Sequence, residues 1–404
     1  MPKEKKMSSS SKRGLLGAIL ITVAGLGVAS AQQSAQPKPL LAEEAFKNVQ
    51  VLKGIPVDDF MQTMGLMSSA LQFDCADCHV AAGTQNADWA ADTPKKRMAR
   101  MMVTMVTNIN KTNFGGQQKV TCFSCHHNRD KPLTTPTMDI IYGTPTVEPD
   151  DVFATIPGMP KPESILDRYI QVLGGADRLA TLKSFDATGI SVGFGGFGGE
   201  GSVEIAAQAP DKRATIILFK KETGRGDEVR SFDGAVGWVR TPLNVLGEFK
   251  LSGGDLDGSR FDAQLYFPGQ IKGILTNWKT GPPMSITDLP SPSGQTSLEP
   301  EVAPQSHVTD PVQGTGPRNL LVTLYFDKQT GLLLRELRYG GSPIGRVPTQ
   351  IDYSDYRDVN GIKFPFRITF AWLDGRNSIV LRDIKTNVPI DQRKFGRPVP
   401  LSGN

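Results

Sequence analysis

Two periodicities divide this chain. Phe60, Met64, Met67 and Leu71 fall at i, i+4, i+7 and i+11, and Met98, Met102, Met105 and Ile109 repeat the same spacing. That spacing puts four apolar side chains on one face of a helix, so helices are predicted over Pro56–Leu71 and Pro94–Ile109, each with a proline suited to its first turn. A third helical stretch, Glu163–Leu173, stops at Gly174-Gly175. Beyond Ser184 the period drops to two, in Gly201–Ala207, Arg213–Phe219, Val229–Phe232, Leu320–Phe326, Leu332–Tyr339, Ile351–Tyr356 and Ile368–Leu373. Turn signals such as Asp233-Gly234 and Asn360-Gly361 separate these runs, as in an antiparallel sheet. The Pro/Ser/Gln-rich stretch Pro282–Gly316 is expected to be a disordered surface insert.

A chain of 404 residues suggests two folded units. Its first 31 residues read as a cleaved secretory leader: Lys3, Lys5, Lys6, Lys12 and Arg13, then the apolar run Leu15–Val28, then Ala29-Ser30-Ala31. The run has 14 residues and three glycines, short of the roughly 20 needed to span a bilayer. Cleavage after Ala31 would leave an exported, periplasmic protein. The expected partition is leader 1–31, linker 32–45, a compact helical segment 46–135, a Pro-rich linker 136–162 and a β-rich domain 163–404. A net charge of +4 and 7% aromatics show no nucleic-acid footprint.

The chain has four cysteines, in Cys75-Ala-Asp-Cys78-His79 and Cys122-Phe-Ser-Cys125-His126. Two thiols three residues apart can meet the two vinyl groups on one edge of a porphyrin, and the next residue brings an imidazole under the iron. Both motifs are complete, so two covalently bound haem c groups are expected, held by Cys75, Cys78, Cys122 and Cys125, with His79 and His126 as iron ligands. A zinc ribbon would use the same four thiolates, but 43 residues separate Cys78 from Cys122, against about 15–20 in such ribbons. A thiol–disulfide exchange protein would carry one such motif at a helix start, without paired histidines. The second iron ligand must come from the opposite face, and a methionine thioether is a soft donor that suits ferrous iron. Methionine is also an ordinary core filler. Met64 and Met102 occupy equivalent central positions in the two helices and are the candidates; Met67 and Met105 are expected at the ring edge, and Met61 and Met101 elsewhere on their helices.

Residues 49–131 resemble the haem modules of the photosynthetic reaction-centre cytochrome c subunit. The matching stretches are Asp59-Phe60-Met61-Gln62-Thr63-Met64, Lys96-Arg97-Met98-Ala99-Arg100-Met101-Met102 and Asn108-Ile109-Asn110, then Val120-Thr121-Cys122-Phe123-Ser124-Cys125-His126. In that family the helix before the cysteine motif supplies the sixth ligand, which implies Met64 for the first haem and Met102 for the second. The family usually carries four haems, whereas this chain has cysteines for two. The C-terminal region resembles the half-barrel of LolA-like carrier proteins through Tyr325–Leu334 and Asp352–Asp358, continuing to Asn360-Gly361-Ile362-Lys363-Phe364-Pro365. Apolar or lipid ligands in a concave face are what that resemblance implies.

The expected fold class is therefore α+β and multidomain, a small helical di-haem module followed by an antiparallel half-barrel. The leading expectation is an electron-transfer protein, not an enzyme, whose partners are redox proteins in the periplasm or at a membrane surface, in a photosynthetic or respiratory chain. The alternatives are a di-haem peroxidase, which needs one open iron face, and a lipid or lipoprotein carrier with an accessory redox module. His307 is the only histidine beyond the linker, so no catalytic triad can be assembled there.

Overall fold

The computed structural model describes residues 38–84, 86–136, 138, 151–193, 200–219, 227–241, 246–289, 304–373 and 375–399. The expected leader 1–31 and residues 137 and 139–150 of the Pro-rich linker lie outside them. Among the described residues no helix is long and apolar enough to cross a membrane.

The helical segment opens with α1 (Ala42–Ala45), inside the stretch expected to be linker. The two predicted long helices follow as α2 (Val57–Leu71) and α4 (Pro94–Asn113). Pro56 is the N-cap of α2 and Pro94 opens α4, where its missing N–H costs nothing. Between and after them come two single turns, α3 (Cys75–Cys78) and α5 (Cys122–His126). Helices α6 (Pro162–Val172) and α7 (Ala176–Thr181) lead into the sheet.

Among the described residues fourteen strands form one antiparallel sheet. They are β1 (Ser184–Val192), β2 (Glu200–Gln208), β3 (Lys212–Phe219), β4 (Glu228–Phe232), β5 (Gly237–Arg240), β6 (Glu248–Lys250) and β7 (Thr276–Thr280). The rest are β8 (Met284–Thr287), β9 (Ser306–Thr315), β10 (Leu321–Asp327), β11 (Leu333–Ser342), β12 (Gly345–Val359), β13 (Ile362–Trp372) and β14 (Gly375–Thr386). The order is β6-β5-β4-β3-β2-β1-β14-β13-β12-β11-β10-β9-β7, with β8 also on β9, so the first and last strands pair in mid-sheet. Alternation sets the faces: on β13, Ile362, Phe364 and Phe366 are buried while Lys363 is exposed.

Helices α6 and α8 (Gly253–Leu265) and the turn α9 (Ile271–Ile274) fill one face, burying Leu166, Ile170, Phe261, Leu265 and Ile271 in the main core. The sheet curls round them. Arg213 on β3 and Arg338 on β11 both bond the Asp262 carboxylate of α8, at 2.9 and 3.1 Å. Those strands stand six places apart, about 29 Å in a flat sheet at ~4.8 Å per strand. Two arginines cannot bridge that gap to one carboxylate unless the sheet closes toward a half-barrel.

The expected insert 282–316 needs correcting. Met284–Thr287 and Ser306–Thr315 are strands β8 and β9, and β9 buries Thr309, Val312 and Gln313. Pro311 is tolerated because its missing N–H faces Gly281, where the neighbouring ladder passes from β7 to β8; there Gly281 N donates to Pro311 O at 2.9 Å. Residues 290–303 lie outside the described residues.

The helical segment is joined to the sheet. Helix α2 packs against β6, β11 and β12. Leu66 of α2, Val103 of α4 and Ile344 at the β11–β12 turn form a small buried cluster. Buried Asp58 accepts hydrogen bonds from Ser252 N and Oγ at the start of α8, and Gln118 Nε2 donates to Ser342 O at 2.9 Å.

Candidate functional site

Both cysteine motifs owe their shape to a capping box. Asp74 Oδ1 accepts from Ala76 N (2.8 Å) and Asp77 N (3.1 Å), and Asp77 Oδ2 accepts from Asp74 N (3.0 Å). In the second motif Thr121 Oγ1 accepts from Ser124 N (3.3 Å) and Ser124 Oγ from Thr121 N (3.0 Å). Each box closes one turn of helix at the first cysteine. Residues at i and i+3 then share a face, so Cys75 with Cys78, and Cys122 with Cys125, present their thiols on one side. None of the four cysteines is in a disulfide; Cys75 and Cys125 are exposed and the other two half-buried. Burial pushes the Cys78 and Cys122 thiols up. Among the described residues no three His, Cys, Asp or Glu side chains converge as a metal cluster.

His126 ends its turn with Nδ1 3.0 Å from the Arg129 carbonyl. A donor Nδ1 leaves Nε2 as the lone-pair nitrogen, the tautomer that a metal ligand needs. His79 lies beside Trp89, with ring centroids 5.1 Å apart. Its Nδ1 is buried without a hydrogen-bond partner, and burial, then Lys96, lowers its pKa, so the ring is neutral at pH 7. His79 is thus held in the uncharged form that binds iron.

Helix α4 carries an apolar band that the protein leaves exposed, whereas the band on α2 is partly covered, with Phe60 stacked on Phe46 and Met67 packed against the Leu66 cluster. On α4, Val103, Val106 and Asn110 form the buried face, whereas Met98, Met101 and Met105 are exposed. Met102 and Ile109 are half-buried at the border between the two. On α2, Leu66 and Ala70 are buried toward the sheet, and Phe60, Met64, Met67 and Leu71 are half-buried on the other side. Three exposed methionines on successive turns form a patch of the kind that marks a ligand surface. An open cavity of about 590 Å³ runs along α4, lined by Val51, Arg100, Met101, Thr104, Met105 and Ile109, which is within the range of small-molecule and cofactor sites. Met101, expected to face elsewhere, lines this cavity, because the apolar band on α4 is wider than a four-residue stripe. Half-buried helices bearing soft donors, next to turns with paired thiols and an imidazole, fit a haem.

The motifs lean on the helices in a way that chain order did not reveal. Cys78 O accepts from Thr93 Oγ1 at 2.9 Å and Asp77 pairs with Lys95 at 2.7 Å, so α3 is tied to the start of α4, the helix of the following repeat. The second turn, α5, packs against both α2 and α4, and Arg129 N donates to Ala70 O at the end of α2. The cations around the first motif are used internally: Arg97 and Arg100 pair with Asp92, and Lys96 donates to the carbonyls of Trp89 and Ala91. The capping residues were missed in the sequence, although Asp-x-x-Asp and Thr-x-x-Ser stand there to be read.

Fold and site define a cytochrome-like segment joined to an antiparallel half-barrel. Residues 21–140 match the family model described as the photosynthetic reaction centre cytochrome C subunit. The family implies haem c in that segment and a cytochrome-like role. Solved structures are also similar, at low identity, over somewhat more than half of the chain. A LolA superfamily protein of Nitrosomonas europaea and a DUF1329 family protein of Desulfovibrio piger each share 13% identity, cover 59% of this chain and 98% of their own, and give TM-scores of 0.37. An outer membrane lipoprotein-sorting protein domain of Vibrio parahaemolyticus shares 9%, covers 58% and 97%, and gives 0.34.

Proposed function

We propose that this chain is an exported electron-transfer protein carrying two covalently bound haem c groups, one on each cysteine motif. The observation that carries the reading is the pair of capped turns, each presenting two thiols and an imidazole together, beside α4, whose methionine band the protein leaves exposed. Bound there, haem c supplies an iron that changes oxidation state by one electron. The chain's own residues do the rest. Cys75, Cys78, Cys122 and Cys125 would fix the two groups, His79 and His126 would each donate a ring nitrogen to the iron, and Met64 and Met102 would each donate a sulfur, a soft donor that favours the ferrous form. With both irons so ligated, electron transfer rather than peroxide chemistry would be the role of the segment. The basic leader and apolar run support export, and redox proteins in the periplasm or at a membrane surface are the partners.

The half-barrel is less suited to carrying lipid. Its interior cavity, lined by Tyr169, Phe185, Leu265 and Phe364 among others, measures about 60 Å³, room for a few waters and not for an acyl chain.

The test is haem load and ligand exchange. The mass of the mature chain should rise by two haems, and replacing either cysteine pair should remove one. Met64→Ala and Met102→Ala should each open one iron of the reduced protein to carbon monoxide, while Met67→Ala leaves both closed. Because α5 packs against α2, Met64→Ala also decides whether that sulfur serves the first haem, as chain order implies, or the second. Stoichiometric zinc, or closure to carbon monoxide in both variants, would refute the assignment.

A further inference from the structure

The two imidazoles sit in different surroundings. His126 has an acceptor for its Nδ1, the Arg129 carbonyl at 3.0 Å. His79 has none: its Nδ1 is buried without a hydrogen-bond partner, and its ring lies against Trp89, with centroids 5.1 Å apart. The backbone acceptor that acts on the His79 ring is the Trp89 carbonyl, but Lys96 Nζ already donates to that oxygen at 3.0 Å and to Ala91 O at 2.7 Å. Thr93 Oγ1 donates to Cys78 O at 2.9 Å and accepts from Lys96 N at 3.3 Å, which fixes the base of the lysine beside the motif. The neighbouring cations are taken up by carboxylates, Lys95 by Asp77 and Arg97 and Arg100 by Asp92. Lys96 is half-buried and, among the described residues, meets the two carbonyls instead. Burial, then the Lys96 charge, lowers the His79 pKa, with the Trp89 carbonyl acting the other way, so cation and carbonyl both act on that one ring.

Two effects then point the same way. A ligand imidazole that donates its other N–H to a carbonyl becomes a stronger donor to the metal, and a stronger donor favours ferric iron. That holds for His126 and not for His79. A positive charge beside the ligand opposes the extra positive charge of ferric iron. That holds for His79. We propose that Lys96, acting through the Trp89 carbonyl and the His79 ring, gives the haem on Cys75 and Cys78 the higher reduction potential, so that an electron entering at the second haem passes to the first. The inference rests on the electron-transfer reading above. In that step the second iron goes from ferrous to ferric and the first from ferric to ferrous, and no proton moves. Lys96 acts through another side chain and is a positioning residue.

The experiment uses the full haem-loaded chain, with both reduction potentials read by optical redox titration. A variant combining Cys122→Ser and Cys125→Ser keeps the first motif intact and assigns them. In the parent, the equilibrium constant for reducing the first haem should exceed that of the second by at least about tenfold. Lys96→Met keeps the length and removes the charge. It should lower the first haem's constant about tenfold, about 59 mV for a one-electron couple, and leave the second within about twofold. Lys96→Arg keeps charge and donors and should restore the parent value. Lys111→Met, at an exposed position at the other end of α4, should move neither haem. If Lys96→Met does not hold the first haem, Lys96→Gln, which can still donate to a carbonyl, carries the same expected fall. A first haem at or below the potential of the second in the parent would overturn the proposal, as would no fall in the Lys96→Met and Lys96→Gln variants. So would equal shifts of both haems, or a Lys96→Arg variant that falls as far as Lys96→Met. Carbon monoxide binding to either reduced iron of the parent would refute the electron-transfer reading instead, while the order of the two potentials would still be read.

Discussion

The junction between α2 and the half-barrel holds three carboxylates, and one of them sets a pH dependence. Asp59 is partly exposed on α2, and its carboxyl is pushed up from 3.8 to about 7, first by burial and then by the negative charges of Asp58 and Asp255. Asp255 is pushed up to about 6 by burial and by Asp58, with Arg338 and Arg230 acting the other way. Asp58 is raised by burial against the hydrogen bonds it accepts from Ser252. A folded chain that holds these protons more tightly than the unfolded chain is most stable while they stay bound, so stability falls as pH rises from about 4 to about 7. Felt in full, the rise at Asp59 corresponds to about 4 kcal/mol at ~1.36 kcal/mol per pH unit. Asp59 is in contact with water, which screens its charge, so about 1–2 kcal/mol remains. Asp59→Asn keeps the shape and removes the charge. The variant should match the parent at pH 4 and exceed it by about 1–2 kcal/mol at pH 8, read from urea unfolding of the haem-loaded protein followed by far-UV circular dichroism. A variant less stable than the parent at pH 8 would refute the reasoning, because it would mean that Asp59 is ionised and well paired.

Three further outcomes follow from the same contacts. At Gly345 (φ +159°) an added methyl would lie 2.6 Å from Leu66 Cδ2 and 3.4 Å from Thr121 Cγ2. Gly345→Ala should therefore cost about 1–3 kcal/mol, lowering the midpoint of thermal unfolding. Buried Gln313 accepts from Phe153 N at 2.8 Å and donates to Asp151 O at 2.9 Å, pinning the end of the linker to β9. Gln313→Ala should leave these groups unpaired at about 1–3 kcal/mol and speed thermolysin cleavage near Phe153. Leu324→Ala, at a fully buried position on β10, should cost about 2–5 kcal/mol, measured by urea unfolding; no loss would place that strand outside the core.

Much was legible in the sequence because it is local. The spacing of Phe60, Met64, Met67 and Leu71 determines a helix face whatever surrounds it, and α2 and α4 formed where that spacing placed them. Alternation in Arg213–Phe219 and Ile368–Leu373 found β3 and β13, though the strands run further than the apolar runs, because sheet pairing extends past the residues that bury. The cysteine motifs are set by spacing along one turn of chain, and their caps were equally readable. What tertiary structure decided involves partners far away in sequence. Helix α8 contains Gly253, Gly254, Gly258 and three aspartates, a poor helix by propensity. It forms because Leu256, Phe261 and Leu265 are buried and Asp262 meets two arginines from strands on opposite sides of the curl. Strand β9 looked like a polar insert until β10 supplied a ladder on one side and β7 and β8 on the other. The pairing of α5 with α2 depends on how the loops fold back, and spacing along the chain carries no signal for contacts that form only when distant surfaces are buried together.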